Sequence, residues 1–164
     1  MENLHLEMKR IAVNVDNCSG CRRCEILCAW AHENQFRASV ARVNVIKEDI
    51  WGFDFPVFCS HCEDCTAMKS CPSKALRRDA KGLITLNEHK CRSCGNCETN
   101  CRLHAIRLHP DKKVPLICDL CNGKPICVEK CPTEALTYVD AAPQNPMPSS
   151  EVLKCSLKRW KMLA

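Results

Sequence analysis

The apolar positions of this chain come in short bursts separated by cysteine-rich loops, and none approaches the ~20 residues of a membrane span. Arg10-Ile11-Ala12-Val13-Asn14-Val15 and Ala41-Arg42-Val43-Asn44-Val45-Ile46 alternate with period two, as half-buried strands do. Leu83-Ile84-Thr85-Leu86 follows a turn at Gly82 and reads as a third short strand. A brief helical turn is expected from about Cys97, with Ala105-Ile106-Arg107-Leu108 as the return strand. CPSKALRRD, starting at Cys71, and CPTEALTYV, starting at Cys131, each predict a turn after the proline and then a strand. These echoes read as internal repeats of one small unit.

Two regions break the pattern. Residues 29–58 form a longer insert that holds Trp30, His32, Phe36, Trp51, Phe53, Phe55 and Phe58, most of the aromatic inventory. It is either a cover packed over the loops or a docking face for a partner. Residues 141–149 (AAPQNPMPS) read as an extended linker. In residues 150–164, Leu153, Leu157, Trp160 and Leu163 recur at helical spacing between Lys154, Lys158, Arg159 and Lys161. So short a helix is not stable alone, so it must lie on another polypeptide or fold back on its own core. Cys155 within it reads as a small buried apolar residue.

The cysteines decide the chemistry. Sixteen of the 17 fall in four runs: Cys18-Cys21-Cys24-Cys28, Cys59-Cys62-Cys65-Cys71, Cys91-Cys94-Cys97-Cys101 and Cys118-Cys121-Cys127-Cys131. Three begin C-x2-C-x2-C, and two end in Cys-Pro, at Pro72 and Pro132. Bacterial ferredoxins carry this run, in which three close thiolates hold one iron–sulfur cluster and the fourth reaches the other cluster of the pair. Zinc sites are better served by two separated C-x2-C pairs, often with histidine. Disulfides call for an oxidising compartment, yet residues 1–12 (MENLHLEMKRIA) lack the apolar stretch of a secretory signal, and the Arg22-Arg23 pair lies inside a cysteine run rather than in a leader. A cytoplasmic location is expected.

Once the cysteines are set aside, the apolar share falls from 46% to about 35%, so metal ligation is expected to staple a thin core. The formal charge of +5 suggests nucleic-acid binding only until the ligands are counted. Four four-iron cubanes with thiolate ligands contribute about −8, which turns the balance to about −3. Arg22, Arg23, Lys90, Arg92 and Arg102 lie beside the runs, either as solvated charges or as partial compensation for cluster charge.

At these runs the chain resembles the four-cluster ferredoxin-like electron-transfer subunits. These accompany molybdenum and tungsten enzymes, carbon monoxide dehydrogenase and some hydrogenases. The likeness spans residues 10–140 and rests on CSHCEDC, SCPSKALRRDAKGLITLNEHKCRSCGNC and CDLCNGKPICVEKCPTEAL. The opening CSGCRRCEILCAWAHENQF and SVARVNVI look most like the small subunits of tungsten-dependent aldehyde oxidoreductase-type enzymes. The resemblance implies an α+β fold of short strands and short helices, with two bis-cluster modules related by an internal repeat, plus a C-terminal arm. Residues 1–140 would form the tandem domain. Its outer module would come from 18–28 and 118–131, its inner one from 59–71 and 91–101, and residues 141–164 would be linker and docking helix.

The resemblance also implies four [4Fe–4S] clusters with crossed ligands. The first takes Cys18, Cys21 and Cys24 with Cys131; the second takes Cys59, Cys62 and Cys65 with Cys101. The third takes Cys91, Cys94 and Cys97 with Cys71; the fourth takes Cys118, Cys121 and Cys127 with Cys28. Three departures stand out: Ala29 and Arg102 where a simple ferredoxin has proline, and Ala67 where the family's second run has its third cysteine. Either Cys65 supplies that ligand through a reshaped loop or the second site is altered.

The chain has no Gly-rich nucleotide fingerprint after a strand and no nucleophile–base constellation. His5, His32, His61, His89, His104 and His109 read as surface or packing residues, with His61 the best candidate to support a ligand from behind. The expected role is an electron relay rather than an enzyme, serving a large catalytic subunit, with further copies of the chain in a filament as another possible partner. Neither nucleic acid nor a membrane span is expected. The competing readings are a free polyferredoxin, the small subunit of a carbon monoxide dehydrogenase or hydrogenase, and a zinc-based interaction module.

Overall fold

Among the described residues, four antiparallel two-strand ladders and four helices carry the cysteine loops. The computed structural model describes residues 9–48 and 53–140. The expected linker and docking helix at 141–164, with Cys155, lie outside the described residues, as does Trp51. Among the described residues no helix is long and apolar enough to cross a membrane.

β1 (Lys9–Val13) pairs with β8 (Leu136–Asp140), joining the two ends of the described chain. The alternating stretch stops being a strand at Val13. Asn14 N–H donates to Ala135 O at 2.8 Å, and Asn14 Oδ1 caps a 3-10 turn over Val15–Asn17. That turn delivers Cys18 beside the loop of Cys131. β4 (Leu76–Arg78) and β5 (Ile84–Leu86) form a hairpin closed through Asp79, whose carboxylate accepts from Lys81 and Leu83 N–H. Here Asn87 N–H donates to Ala75 O at 2.8 Å, and Asn87 Oδ1 caps a 3-10 turn over Glu88–Lys90 that delivers Cys91 beside Cys71. In both places a short ladder brings together two cysteine runs distant in sequence.

This corrects one expected pairing. Ala105–Leu108 is not the return strand of Leu83–Leu86. β6 (Arg107–Leu108) pairs instead with β7 (Pro115–Leu116), while β5 pairs with β4. The hairpin between Arg78 and Ile84 closes locally, at lower loop entropy than a pairing across the Cys91–Cys101 loops.

The insert after the first run is also more regular than its sequence suggests. α1 (Arg23–Glu33) is the longest helix and takes in both Cys24 and Cys28. β2 (Val43–Glu48) and β3 (Phe53–Phe58) pair antiparallel, two residues later than the alternating Ala41–Ile46 pattern implies. Pro56 costs nothing here because a two-stranded ladder leaves its nitrogen on an edge. Glu25, fully buried on α1, accepts from Val45 N–H at 2.8 Å and from Arg22 Nε at 2.5 Å, which locks the helix to β2. Arg107 donates to Asn44 Oδ1 and to the carbonyls of Ala38, Ala41 and Val43. The two expectations for the aromatics divide: Phe55 and Phe58 are buried, while Trp30 and Phe36 are exposed and stack with ring centroids 4.8 Å apart.

The remaining helices have four residues each: α2 (Thr66–Lys69), α3 (Asn96–Thr99) and α4 (Ile126–Glu129). Besides a small core of Phe55, Val57, Leu103 and Ala105, two apolar cores flank the loops. One joins Ile11, Ala29, Val40, Val43, Phe58, Leu120 and Leu136 with Cys28 and Cys127. The other joins Ala67, Leu76, Ile84, Ile106 and Ile117 with Cys59, Cys65 and Cys97. Thiols are thus core residues in both.

Candidate metal centres

Backbone shape comes before side chains at these sites. Two residues past the first cysteine of each run the chain is left-handed: Gly20 (φ 63°), His61 (52°), Ser93 (52°) and Leu120 (57°). Two residues further on, Arg22 (57°), Gly95 (78°) and Asn122 (55°) are left-handed as well, and the second run has no counterpart. Left-handed residues alternating in this way turn successive N–H groups toward one concave side. Holding non-glycine residues there costs on the order of 1 kcal/mol each, a cost that persists where function needs the shape. Three residues past the fourth cysteine, Lys74 (51°), His104 (50°) and Glu134 (54°) bend the chain away. After Cys28 this does not happen, because α1 simply continues.

The loops form three clefts of closely matched size, about 320 to 340 Å³ with open mouths included. Cys18, Cys21, Cys24 and Cys131 line one, Cys71, Cys91, Cys94 and Cys97 another, and Cys28, Cys118, Cys121 and Cys127 the third. The thiols of Cys59, Cys62, Cys65 and Cys101 are electrostatic neighbours. Thr66 Oγ1 donates to Asn100 O at 2.5 Å and Ser70 Oγ to Asn96 O at 3.3 Å, tying α2 to α3 and so Cys65 to the Cys101 loop. Ala67, at the position where the family has a cysteine, is buried in the core. Arg22 and Arg23 line the first cleft and Arg92 the cleft of Cys71 and Cys91; Lys90 is exposed, and the positive charge of Arg102 acts on Cys62.

Two electrostatic kinds stand out among the thiols. Burial pushes Cys24 and Cys118 up to about 12 and Cys97 to about 11, and it raises Cys59 and Cys127 strongly. Cys71 and Cys131 sit below the ordinary thiol value. Burial raises them, but hydrogen bonds from the backbone of Leu76 and Ala75, and of Leu136, Thr133 and Ala135, outweigh it, helped by the hydroxyls of Ser73 and Thr133. The raised thiols become good ligands only when a cation offsets the burial, so metal binding must release protons.

Two arrangements were not legible as spacing. Arg78, at the end of β4, donates to the carbonyls of His61, Cys62, Glu63 and Gly82 at 2.5 to 3.2 Å. One guanidinium thus holds the reshaped second loop. His61 is fully buried, and its Nδ1 accepts from Ile84 N–H at 2.8 Å and lies 3.9 Å from Cys59 Sγ. Burial, then Arg10 and Arg78, lower it to about 4, so its proton resides on Nε2, which is buried without a partner. The second missed arrangement is His32, whose ring lies against Cys28.

The donor sets, all thiol and backed by inward N–H groups, fit iron–sulfur clusters. Residues 51–141 match the family model described as a 4Fe-4S dicluster domain. The chain belongs to that family. It is 39% identical over 122 residues to the polyferredoxin-like subunit of aliphatic sulfonate oxidoreductase of Pyrococcus furiosus, across 74% of this chain and 70% of that protein. It is 35% identical over 142 residues to the putative electron transport protein YsaA of Escherichia coli, across 79% of this chain and 88% of that one. Among solved structures it is similar to a chain of the active site complex BamBC of benzoyl coenzyme A reductase, at 25% identity, TM-score 0.52, and 92% and 89% coverage. As a member of the 4Fe-4S dicluster family the chain is an electron-transfer protein that holds [4Fe–4S] clusters on cysteine.

Within this dicluster protein, Gly20 lies in the first cysteine loop, between Ser19 and Cys21 of the cleft lining. It is left-handed, and a Cβ there would fall 2.0 Å from Oδ2 of Asp54, whose Oδ1 pairs with Lys47 at 2.8 Å. Gly20→Ala is expected to add about 1–2 kcal/mol of backbone strain and to expel the Asp54 carboxylate. Thermal unfolding of the loaded protein should shift down by several degrees, with iron lost first from one cluster. An unchanged melt with full iron would mean that the loop has more room than its geometry suggests.

Proposed function

We propose that the chain is the electron-relay subunit of a larger oxidoreductase and holds four [4Fe–4S] clusters on the crossed quartets. The observation that carries this reading is the composition of the clefts: each combines three cysteines of one run with one from a run far away in sequence. Two modules within residues 1–140 follow, the outer from runs one and four and the inner from runs two and three. The matching ladders, with Asn14 on Ala135 and Asn87 on Ala75, support an internal repeat. So do the matching hydrogen bonds at Cys71 and Cys131.

When bound, a [4Fe–4S] cluster accepts and releases one electron at a time. The chain's own part is to fix order and access. Thiols of the first quartet neighbour those of the fourth, through Cys24 and Cys127. The fourth neighbours the second through Cys118 and Cys59. The second and third share one apolar core. Cys21 and Cys94, in the two end quartets, are exposed, while Cys59, Cys65 and Cys127 are buried. An ordered row with two open ends suits a relay between a catalytic subunit and a carrier better than it suits storage.

The partner we favour is the catalytic subunit of a tungsten- or molybdenum-dependent enzyme of the aldehyde oxidoreductase type. The polyferredoxin-like relative is a subunit of a sulfonate oxidoreductase, and the structural neighbour comes from an active-site complex. Residues 141–164 would be the docking arm. Anaerobic purification from the native source should yield a stoichiometric large subunit containing tungsten or molybdenum, and truncation at Pro143 should break that assembly while iron stays bound. Recovery of the chain alone, loaded and fully active as a soluble donor, would favour a free polyferredoxin.

A further inference from the structure

At the fourth quartet a departure from the ferredoxin pattern creates a feature the other three lack. α2, α3 and α4 each end two residues before the fourth cysteine of their run, Cys71, Cys101 or Cys131. Cys28 instead lies inside α1, which runs on through Ala29 to Glu33, and residue i+4 comes back over the cysteine. That residue is His32. Its Nδ1 lies 2.9 Å from Cys28 O and 3.7 Å from Cys28 Sγ, and its Nε2 lies 3.1 Å from Asp119 Oδ1. Asp119 is held on its other sides by Arg42 Nη1 at 2.6 Å and by Cys121 N–H at 2.9 Å, and Arg42 N–H donates to Cys28 Sγ at 3.2 Å.

The charge state of His32 follows from what faces it. Nδ1 meets only acceptors, a carbonyl oxygen and a sulfur, and Nε2 meets a carboxylate oxygen. Both nitrogens therefore carry protons, and the ring is an imidazolium. His32 and Arg42 together bring two positive charges against one carboxylate beside the fourth quartet.

We propose that His32 is a potential-setting residue of the fourth cluster, a fixed cation and hydrogen-bond donor that favours the reduced, more negative state and so holds this cluster above the potential it would otherwise have. The proposal rests on the crossed-quartet reading. Its physics is general: hydrogen bonds to cluster sulfurs and nearby positive charge raise a cluster's potential. His32 touches the ligand Cys28 and no reacting atom, so it acts by positioning charge.

The test compares His32→Leu and His32→Gln with the wild type in the full-length chain, reconstituted anaerobically with iron and sulfide and titrated with dithionite while spectra are followed by paramagnetic resonance. Iron content should stay at the wild-type level. One cluster should shift, its reduced-to-oxidised ratio at fixed potential falling about tenfold in His32→Leu, or about 59 mV for one electron. The other clusters should keep their potentials. His32→Gln retains a donor without the charge and should shift the same cluster in the same direction; it decides the matter if the leucine variant folds poorly. Unmoved potentials in a fully loaded His32→Gln protein would overturn the proposal. Loss of one cluster's iron from that variant would also overturn it, by making His32 a structural or ligating residue, which the closeness of His32, Asp119 and Cys121 would allow. A wild-type chain that takes up no sulfide would sink the cluster reading itself, and this proposal with it.

Discussion

Stripping the iron from the loaded protein is expected to unfold it rather than merely bleach it. The ladders have two to six residues per strand, and three of the four helices have four residues each. Elements this short do not hold themselves in water. The apolar cores that might hold them include Cys28, Cys127, Cys59, Cys65 and Cys97 among their members. Removing the metal leaves these thiols in place but takes away the ligation that closes loops such as 28–118 and 71–91. It also leaves several left-handed non-glycine residues with nothing to hold them. Ordering a residue costs about 1–2 kcal/mol, whereas a single structural metal site can supply about 10–16 kcal/mol. Chelation under anaerobic, reducing conditions should therefore abolish the cooperative thermal transition and most of the native circular dichroism. Apo protein that kept both would show that the polypeptide core suffices alone.

Cys65→Ser should remove one cluster and leave three. Cys65 is the N-terminal cap of α2, its Sγ accepting from Met68 N–H at 3.4 Å. Serine is among the best residues for that position, so the substitution keeps the cap and changes the ligand. Iron should fall from about sixteen to about twelve per chain if the cluster is lost, or to about fifteen if it converts to a three-iron form, with one spectroscopic component changed accordingly. If the second site takes its ligands elsewhere, the serine variant will retain its full iron.

The cysteine runs were legible because ligation is local: three thiolates within seven residues can converge only through a tight loop. The strands after Cys71-Pro72 and Cys131-Pro132 were legible for a similar reason, since each proline ends a turn and Leu76 and Leu136 point the next residues inward. α1 was not. Its segment Arg23–Glu33 carries no apolar stripe, because its buried positions are Glu25, Cys28 and Ala29, one of them charged and one a thiol. The pairing of Arg107-Leu108 also went astray, since strands of two or three residues carry too little pattern to choose between partners. Arg78, Arg107 and His32 were hidden for another reason. Each reaches carbonyls or a carboxylate 15 to 87 positions away, and nothing in a local window distinguishes such a residue from a surface charge. The Ala29 that replaces proline was visible from the start. Its meaning, a helix long enough to return a histidine over Cys28, became readable only with the fold.

The central claim is that four quartets each hold a cubane. The most direct test is iron and acid-labile sulfide per chain in protein purified without oxygen and quantified by amino-acid analysis. The account predicts about sixteen of each. About twelve of each, with no further uptake on reconstitution, would contradict it and point to the second quartet.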